Sequence, residues 1–311
     1  MTRRGWVLFA AVGVIWGIPY LLIRIAVREV EPPTLVFFRT APAFLLLVFF
    51  ARQRGSVREL LNHWRAIVAY TAAELGVSWL MLFRAEQRLS SSLSGLFIAM
   101  VPFMSVALSK ALGDREPLGA ARATGLALGL AGVVILVGIE VRGTELLAVA
   151  EIVVTAVSYA VGPMIIFRLL RGVPALGVVT ASLALTAVVY APFALTHLPT
   201  KMSGEILSSI VVLCVVCTAI AFPAFVALVN EVGPERATVV TFVNPAVAVV
   251  LGVLLLKEPF TLGIGLGFPL VLLGSYLATR KSGSLVEPPM RLASTGTTAD
   301  ATPPKTPIVG G

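Results

Sequence analysis

The chain has 311 residues, 58% of them hydrophobic and 13% charged, with a mean hydropathy of +0.95. A soluble domain carries about 25% charged residues, so the composition excludes a water-soluble globular protein. The net charge of +8 does not point to nucleic acid: Lys and Arg fall in short connections and a tail, with no basic stripe interleaved with aromatics, and no nucleic-acid partner is expected.

A membrane-spanning helix needs roughly 17–25 predominantly apolar residues. Ten segments meet or approach this: 6–23, 35–50, 66–83, 93–112, 118–139, 146–167, 173–196, 206–229, 237–256 and 262–279. They exceed strand length and lack period-2 alternation, which argues against a β-barrel. Arg3 and Arg4 ahead of the first segment imitate a signal peptide. The apolar run continues through Trp16 and Gly17 to Arg24 without a small-residue cleavage site, so it reads as a retained helix. With both termini cytoplasmic, the inner connections hold 16 Lys and Arg and the outer ones 7, Arg39 being set aside; this bias places both ends inside. Residues 281–311, rich in Ser, Thr, Pro and Gly, read as a disordered cytoplasmic tail.

An internal repeat runs through the apolar part, about 142 positions apart. Pro102, Glu116-Pro117, Gly125 and Gly132 are answered by Pro245, Glu258-Pro259, Gly267 and Gly274. Five helices per unit is an odd number, so the second unit enters the bilayer upside down. The expected fold is an all-α membrane protein of ten transmembrane helices arranged as two inverted five-helix repeats, 1–140 and 145–280. That is the pattern of a secondary transporter. Gly125, Gly129, Gly263 and Gly267 mark the fifth and tenth helices for close mutual packing.

Glu74 lies eight residues beyond Ala66, roughly 12 Å deep at about 1.5 Å per residue, where half the hydrocarbon core is about 15 Å. An acid at that depth faces a cavity or a partner. Thr71 and Ser78 share its face, and the group reads either as a substrate-amine or proton site or as a structural hydrogen-bonding centre. Glu151 is shallower, with Thr155 and Tyr159 on its face. Tyr159-Ala160 answers Trp16-Gly17 in the repeat, so Trp16, with Tyr20, and Tyr159 read as two walls of one cavity or as ordinary close packing. Arg39, near the start of the second helix, is close enough to the surface to snorkel outward and reads as a structural or salt-bridging charge, with Glu29 and Glu31 as neighbours, or as a direct anion-binding group. Phe97, Met100 and Met104 form a stripe suited to an amphipathic ligand or to plain packing. Pro102, Pro163, Pro223 and Pro245 sit mid-helix as candidate hinges or gates. Cys214 and Cys217 lack His or acidic companions and read as buried thiols; no metal or cofactor is expected, and no phosphate loop or nucleophile elbow is present.

These residues resemble the EamA-like transporter family of the drug/metabolite transporter superfamily. The likeness rests on Trp16-Gly17, Phe38-Arg39 with Ala41 and Ala43, and Arg88 through Leu93 leading into Pro102. In the second unit it rests on Gly233 through Ala237 leading into Asn244-Pro245, and on Leu254 through Pro259. It implies a ten-helix carrier of the bacterial inner membrane, not an enzyme, that exports small metabolites, amino acids or amphipathic compounds without ATP. It also implies a lipid surrounding, a possible coupling proton or ion, and a monomer or homodimer. Asn244 enters the candidate site on this resemblance. A carrier of phosphorylated or anionic solutes, or a membrane-embedded enzyme, is the alternative. Small relatives of the superfamily use a membrane carboxylate on the helix where this chain has Arg39, so their proton-coupled drug export does not carry over simply.

Overall fold

A computed structural model describes residues 1–54, 57–113, 119–141, 143–233, 237 and 239–279. The Glu116-Pro117 part of the repeat, residues 234–236 and the 281–311 tail lie outside the described residues. Within them the chain is helical, with no strand. Eight helices are long and apolar enough to cross a membrane: α1 Arg3–Ala26, α2 Pro32–Arg54, α3 Trp64–Glu86, α4 Ser91–Ala111, α5 Ala120–Glu140, α6 Leu146–Leu169, α7 Ala175–Thr196 and α8 Gly204–Val232. Two shorter apolar helices follow, α9 Val239–Leu255 and α10 Leu262–Thr279. The protein is an integral membrane protein. Large apolar side chains such as Leu45, Phe49, Val188, Leu195 and Leu254 point outward, as a lipid-facing surface requires.

Helix ends follow local chemistry. Thr2, Ser90 and Ser203 accept from the backbone N–H groups of Gly5, Leu93 and Ile206 and start α1, α4 and α8. Gly113, Gly172 and Gly233 take positive φ where α4, α6 and α8 stop.

Two helices carry one-turn π segments, Ala72–Val77 in α3 and Val215–Ile220 in α8. They are 143 positions apart. Two others are interrupted at matching places. α4 breaks between Ile98 and Val101, and α9 opens as a 3₁₀ turn over Val239–Phe242 before Val243. Pro102 sits at the second and Pro245 at the third position of the regular helix that resumes, within the first turn, where a proline removes no intrahelical bond. The Ala99 carbonyl freed by the α4 break accepts from Ser275 Oγ at 2.6 Å.

The closest interhelical contact joins α5 and α10. Gly129 and Gly125 face Gly274, and Gly132 faces Gly267; a Cβ on Gly125, Gly132, Gly267 or Gly274 would meet the partner's backbone, and one on Gly129 would meet the Phe103 ring. The expected pairing of these helices is present, in a register set by Gly132 and Gly274. Gly263 stands outside the seam, its N–H donating to Glu140 Oε1 at 3.1 Å. Without a hydrophobic force between helices in lipid, such backbone approach maximises dispersion and weak hydrogen bonding. Gly274→Val is expected to part the helices and cost about 1–3 kcal/mol, read as a lower thermal unfolding midpoint in detergent. Gly138→Val, where a Cβ meets nothing within 4 Å, should leave that midpoint nearly unchanged.

Candidate functional site

A π turn adds one residue to a helical turn, loosens the hydrogen-bond ladder and re-aims side chains. Both π turns are held by side chains from the α2–α7 pair. Tyr190 of α7 donates to the Gly76 carbonyl at 2.9 Å. Arg39 Nε of α2 donates to Thr218 Oγ1 at 3.2 Å, and Thr218 in turn donates to the Leu213 carbonyl at 2.8 Å.

Arg39 is 6% exposed, with its guanidinium carbon 3.7 Å above the Trp79 ring centroid and 6.0 Å from that of Phe83. Cation–π stacking on Trp is worth about 2 kcal/mol or more when desolvated. No carboxylate among the described residues pairs with it. The expectation that Arg39 snorkels beside Glu29 and Glu31 is therefore corrected. α2 starts at Pro32, because two prolines suit a first turn, and this draws Arg39 two turns into the bundle. Glu29 instead accepts from the Ser203 N–H at 3.1 Å.

Glu74 sits in the π turn of α3 and presses its carboxylate against Gly162 of α6, next to Pro163. Its Oε2 is buried without a hydrogen-bond partner. The hydroxyls expected to serve it bond their own helix: Thr71 donates to the Ile67 carbonyl at 2.7 Å, and Ser78 donates to the Glu74 carbonyl. Tyr159 lies beside Trp79 and Ser78, within electrostatic reach of both Arg39 and Glu74. Tyr20, 6% exposed, lies within reach of Tyr159, Arg39 and a further acid, Glu86.

The end of the bundle where α1, α3 and α5 finish is closed by carboxylates. Glu258 accepts from Ser91 N and Oγ at 2.8 and 3.0 Å and from Ser92 N at 3.0 Å, with the Ser92 hydroxyl as a fourth donor. Lys257, the one non-glycine with positive φ among the described residues (54°), turns the chain into that acid. Glu151 is corrected as a solute ligand: Arg84 Nε at 2.7 Å and Arg88 Nη1 at 3.2 Å occupy both of its oxygens. Thr155 donates to the carbonyls of Glu151 and Ser78, tying α6 to α3. A cleft of about 240 Å³ opens at this end, with Arg24, Arg88, Leu93, Glu140 and Thr261 among its lining residues.

Other candidates fall elsewhere. Trp16 packs edge-on against Phe222 and, at 4.7 Å, on Phe225, in a cluster with Val12 and Leu228. Tyr159 packs against the main core, so the two aromatics sit in separate apolar clusters. They are nonetheless equivalent: Tyr159 is 143 residues after Trp16, and its neighbour Trp79 is 143 before Phe222. Phe97 and Met100 are buried core residues and Met104 packs beside them; packing is the reading that fits. The Asn244 amide, oriented by two carbonyls, donates to Val240 and Gly13 at 3.1 Å and fastens α9 to α1. Pro163 lies within α6, and Pro223 follows the π turn of α8 directly. Cys214 and Cys217 are buried free thiols, and no cluster among the described residues could hold a metal.

Sequence reasoning missed Glu86, Trp79 and Thr218. Ending the third helix at Phe83 put Glu86 in a loop, whereas α3 reaches Glu86 itself. The signal was present: Glu86 lies between the apolar Phe83 and Leu89, with no turn residue until Ser90. Trp79 and Thr218 carry no such sequence mark.

The profile of the EamA-like transporter family matches residues 3–138 and 146–280. The inner membrane transporter YedA of Escherichia coli is 29% identical over 288 residues, covering 87% of this chain and 91% of that one. A transporter of Archaeoglobus fulgidus is 25% identical over 282 residues, covering 89% and 99%. A crystal structure 19% identical superposes with a TM-score of 0.65 over 90% of this chain and 98% of that one, a likeness of fold.

Hydrogen bonds to a charged group contribute about 1.5–3 kcal/mol each, so Glu258→Ala is expected to free the start of α4. Hydrogen–deuterium exchange at residues 91–95 should accelerate while the α5–α10 seam stays protected; unchanged exchange at 91–95 would show that the four bonds are not what holds this end.

Proposed function

Because the chain belongs to the EamA-like transporter family, we propose that it is a secondary transporter of the bacterial inner membrane, exporting a small solute that carries both an acid and an amine, such as an amino acid. The observation that carries this is the pair flanking Tyr159: Arg39, stacked on Trp79 without a carboxylate partner, and Glu74, with a buried oxygen that nothing bonds. A solute carboxylate suits the planar fork of Arg39, and a solute ammonium suits Glu74. The alternative, a phosphorylated or anionic solute, needs a second cation beside Arg39, where the described centre has Glu74 and Glu86. An embedded enzyme needs convergent acid and base groups, and Glu151 is held in an ion pair away from Glu74.

Alternating access between two inverted five-helix repeats, 1–140 and 145–280, is the mechanism we infer. The π turns 143 positions apart, the paired breaks of α4 and α9, and the equivalent contacts of Trp16 with Phe222 and Tyr159 with Trp79 support it. Tight α5–α10 packing would hold the units together while the interrupted helices α3, α4, α8 and α9 absorb the change. Pro102 and Pro245 mark the interruptions at which α4 and α9 would flex. The Lys and Arg bias puts both termini in the cytoplasm, and the closed end with Glu258 and Glu151 outside.

Reporter fusions at Ser56 and after Lys281 are expected to read cytoplasmic, and one at Thr200 external; a cytoplasmic Thr200 would overturn the helix count. In liposomes supplied with a mixture of the twenty amino acids, wild-type protein should exchange at least one of them. Glu74→Gln and Arg39→Lys at equal abundance should each lose roughly ten- to hundredfold in rate, the equivalent of one charged hydrogen bond. Wild-type rates in both variants would remove this pair from the solute site.

A further inference from the structure

Glu86 is 0% exposed, and neither of its carboxylate oxygens has a hydrogen-bond partner. Four other acids described at that end are engaged. Glu151 holds two arginines, Glu258 takes four donors from Ser91 and Ser92, Glu140 takes the Gly263 N–H and Glu29 takes the Ser203 N–H.

We propose that Glu86 is a proton-binding residue of the transport cycle: the outer end shuts only when Glu86 has taken a proton from water on that side, so each closure draws one proton into the protein. The proposal rests on the reading of the chain as a secondary transporter.

The charged and titratable groups around Glu86 are Tyr20 and Arg24 of α1, Arg39 of α2 and Glu258 of the connection between α9 and α10. Neither arginine neutralises it. Arg24 turns Nη1 to the backbone carbonyl of Glu86, and Arg39 is engaged with Thr218 and Trp79. Glu258 is an anion that opposes a second one nearby. On its own helix, Arg84 and Arg88 are drawn to Glu151. A carboxylate cut off from water with no donor to satisfy it is strongly disfavoured against the neutral acid. The closed arrangement therefore selects the protonated form.

Opening supplies the opposite condition. Arg24 and Leu93 border the cleft at this end, and Ser91 and Ser92 of the Glu258 latch follow Glu86 by one short turn. Once the latch parts, water reaches the carboxyl, the O–H proton passes to water as hydronium, and the anion is solvated or meets the freed Arg24. Reclosure takes one proton back from the same water. The step is an acid–base exchange and needs no further reactant.

The test needs no solute. Leu93 lines the cleft and is 7% exposed; Leu93→Cys places a thiol there, and its maleimide labelling in lipid reports opening. With Glu86 intact, labelling, taken relative to that of a free cysteine at the same pH, is expected to rise as pH rises. With Glu86→Gln, a permanent mimic of the protonated form, labelling should stay low and lose its pH dependence, and the protonated-carboxyl stretch assigned by infrared difference against wild type should vanish. An unaltered pH profile in Glu86→Gln, or an infrared spectrum identical to wild type, would overturn the proposal. Should Glu86→Gln fail to reach the membrane, Glu86→Asp, which keeps the acid but moves it, is expected to shift the profile; an unshifted one overturns the proposal equally. Failure of amino-acid exchange in the wild type would instead count against the solute named above and leave this result standing.

Discussion

Hydrocarbon offers no hydrogen bonds, and the arrangement of every polar group in this protein answers to that constraint. Serine and threonine hydroxyls inside the bundle mostly bond the carbonyl one turn back, as Thr40, Thr71, Ser105, Thr180 and Thr186 do. Such bonds conceal the hydroxyl without creating a recognition site. Glu258, Glu151 and Glu140 near the closed end go further, each tying one helix to another element. Against this background a buried group left without its complement is conspicuous. Arg39, Glu74 and Glu86 are charged residues of that kind, and Tyr20 and Tyr159 stand among them.

The π turns explain why those groups collect where they do. A regular helix at α3 would keep its backbone carbonyls bonded internally and leave Tyr190 without the Gly76 carbonyl; a regular α8 would lose the i−5 bond of Thr218 on which Arg39 rests. Each turn exposes backbone or hydroxyl polarity toward the α2–α7 pair. Irregular backbone at membrane depth is tolerated where protein buries it or a cavity hydrates it, and here it both anchors the neighbouring helices and sets Glu74 against Gly162. A Cβ at position 162 would collide with the Glu74 carboxylate and displace it from this place.

Much of the architecture was legible because lipid simplifies the code. Long apolar runs can only be helices, and glycines at spacing four could only mark the close α5–α10 contact. Depth along a helix was legible too, which is why Glu74 stood out. What partners a polar side chain was not. Thr71 and Ser78 share a face with Glu74, yet sequence cannot say that each hydroxyl bonds its own backbone. Glu151 looked equivalent to Glu74 because the arginines that hold it, Arg84 and Arg88, seemed to belong to a loop. One misjudged helix end, Phe83 against Glu86, therefore changed the reading of two acids at once. The π turns had no sequence signal at all, as their flanking residues, Thr71 and Ser78 or Cys214 and Ala221, would sit equally well in an α-helix.

The repeat also shows which features are scaffold and which are particular to this carrier. Backbone irregularities recur at the 143-residue offset, and so do the contacts of Trp16 with Phe222 and of Tyr159 with Trp79. Charges do not. The position equivalent to Arg39 is Ser182, whose hydroxyl is buried without a partner, and the position equivalent to Glu74 is Cys217, a buried thiol. If Arg39 and Glu74 served packing alone, the related surroundings in the other unit would make the same demand, and Ser182 and Cys217 show that they do not. A carrier of two related units has to open to either side with nearly equal ease, which the shared backbone provides. On the proposed function it also has to hold one solute in one orientation, and a pair of opposite charges contributed by the first unit alone would do that.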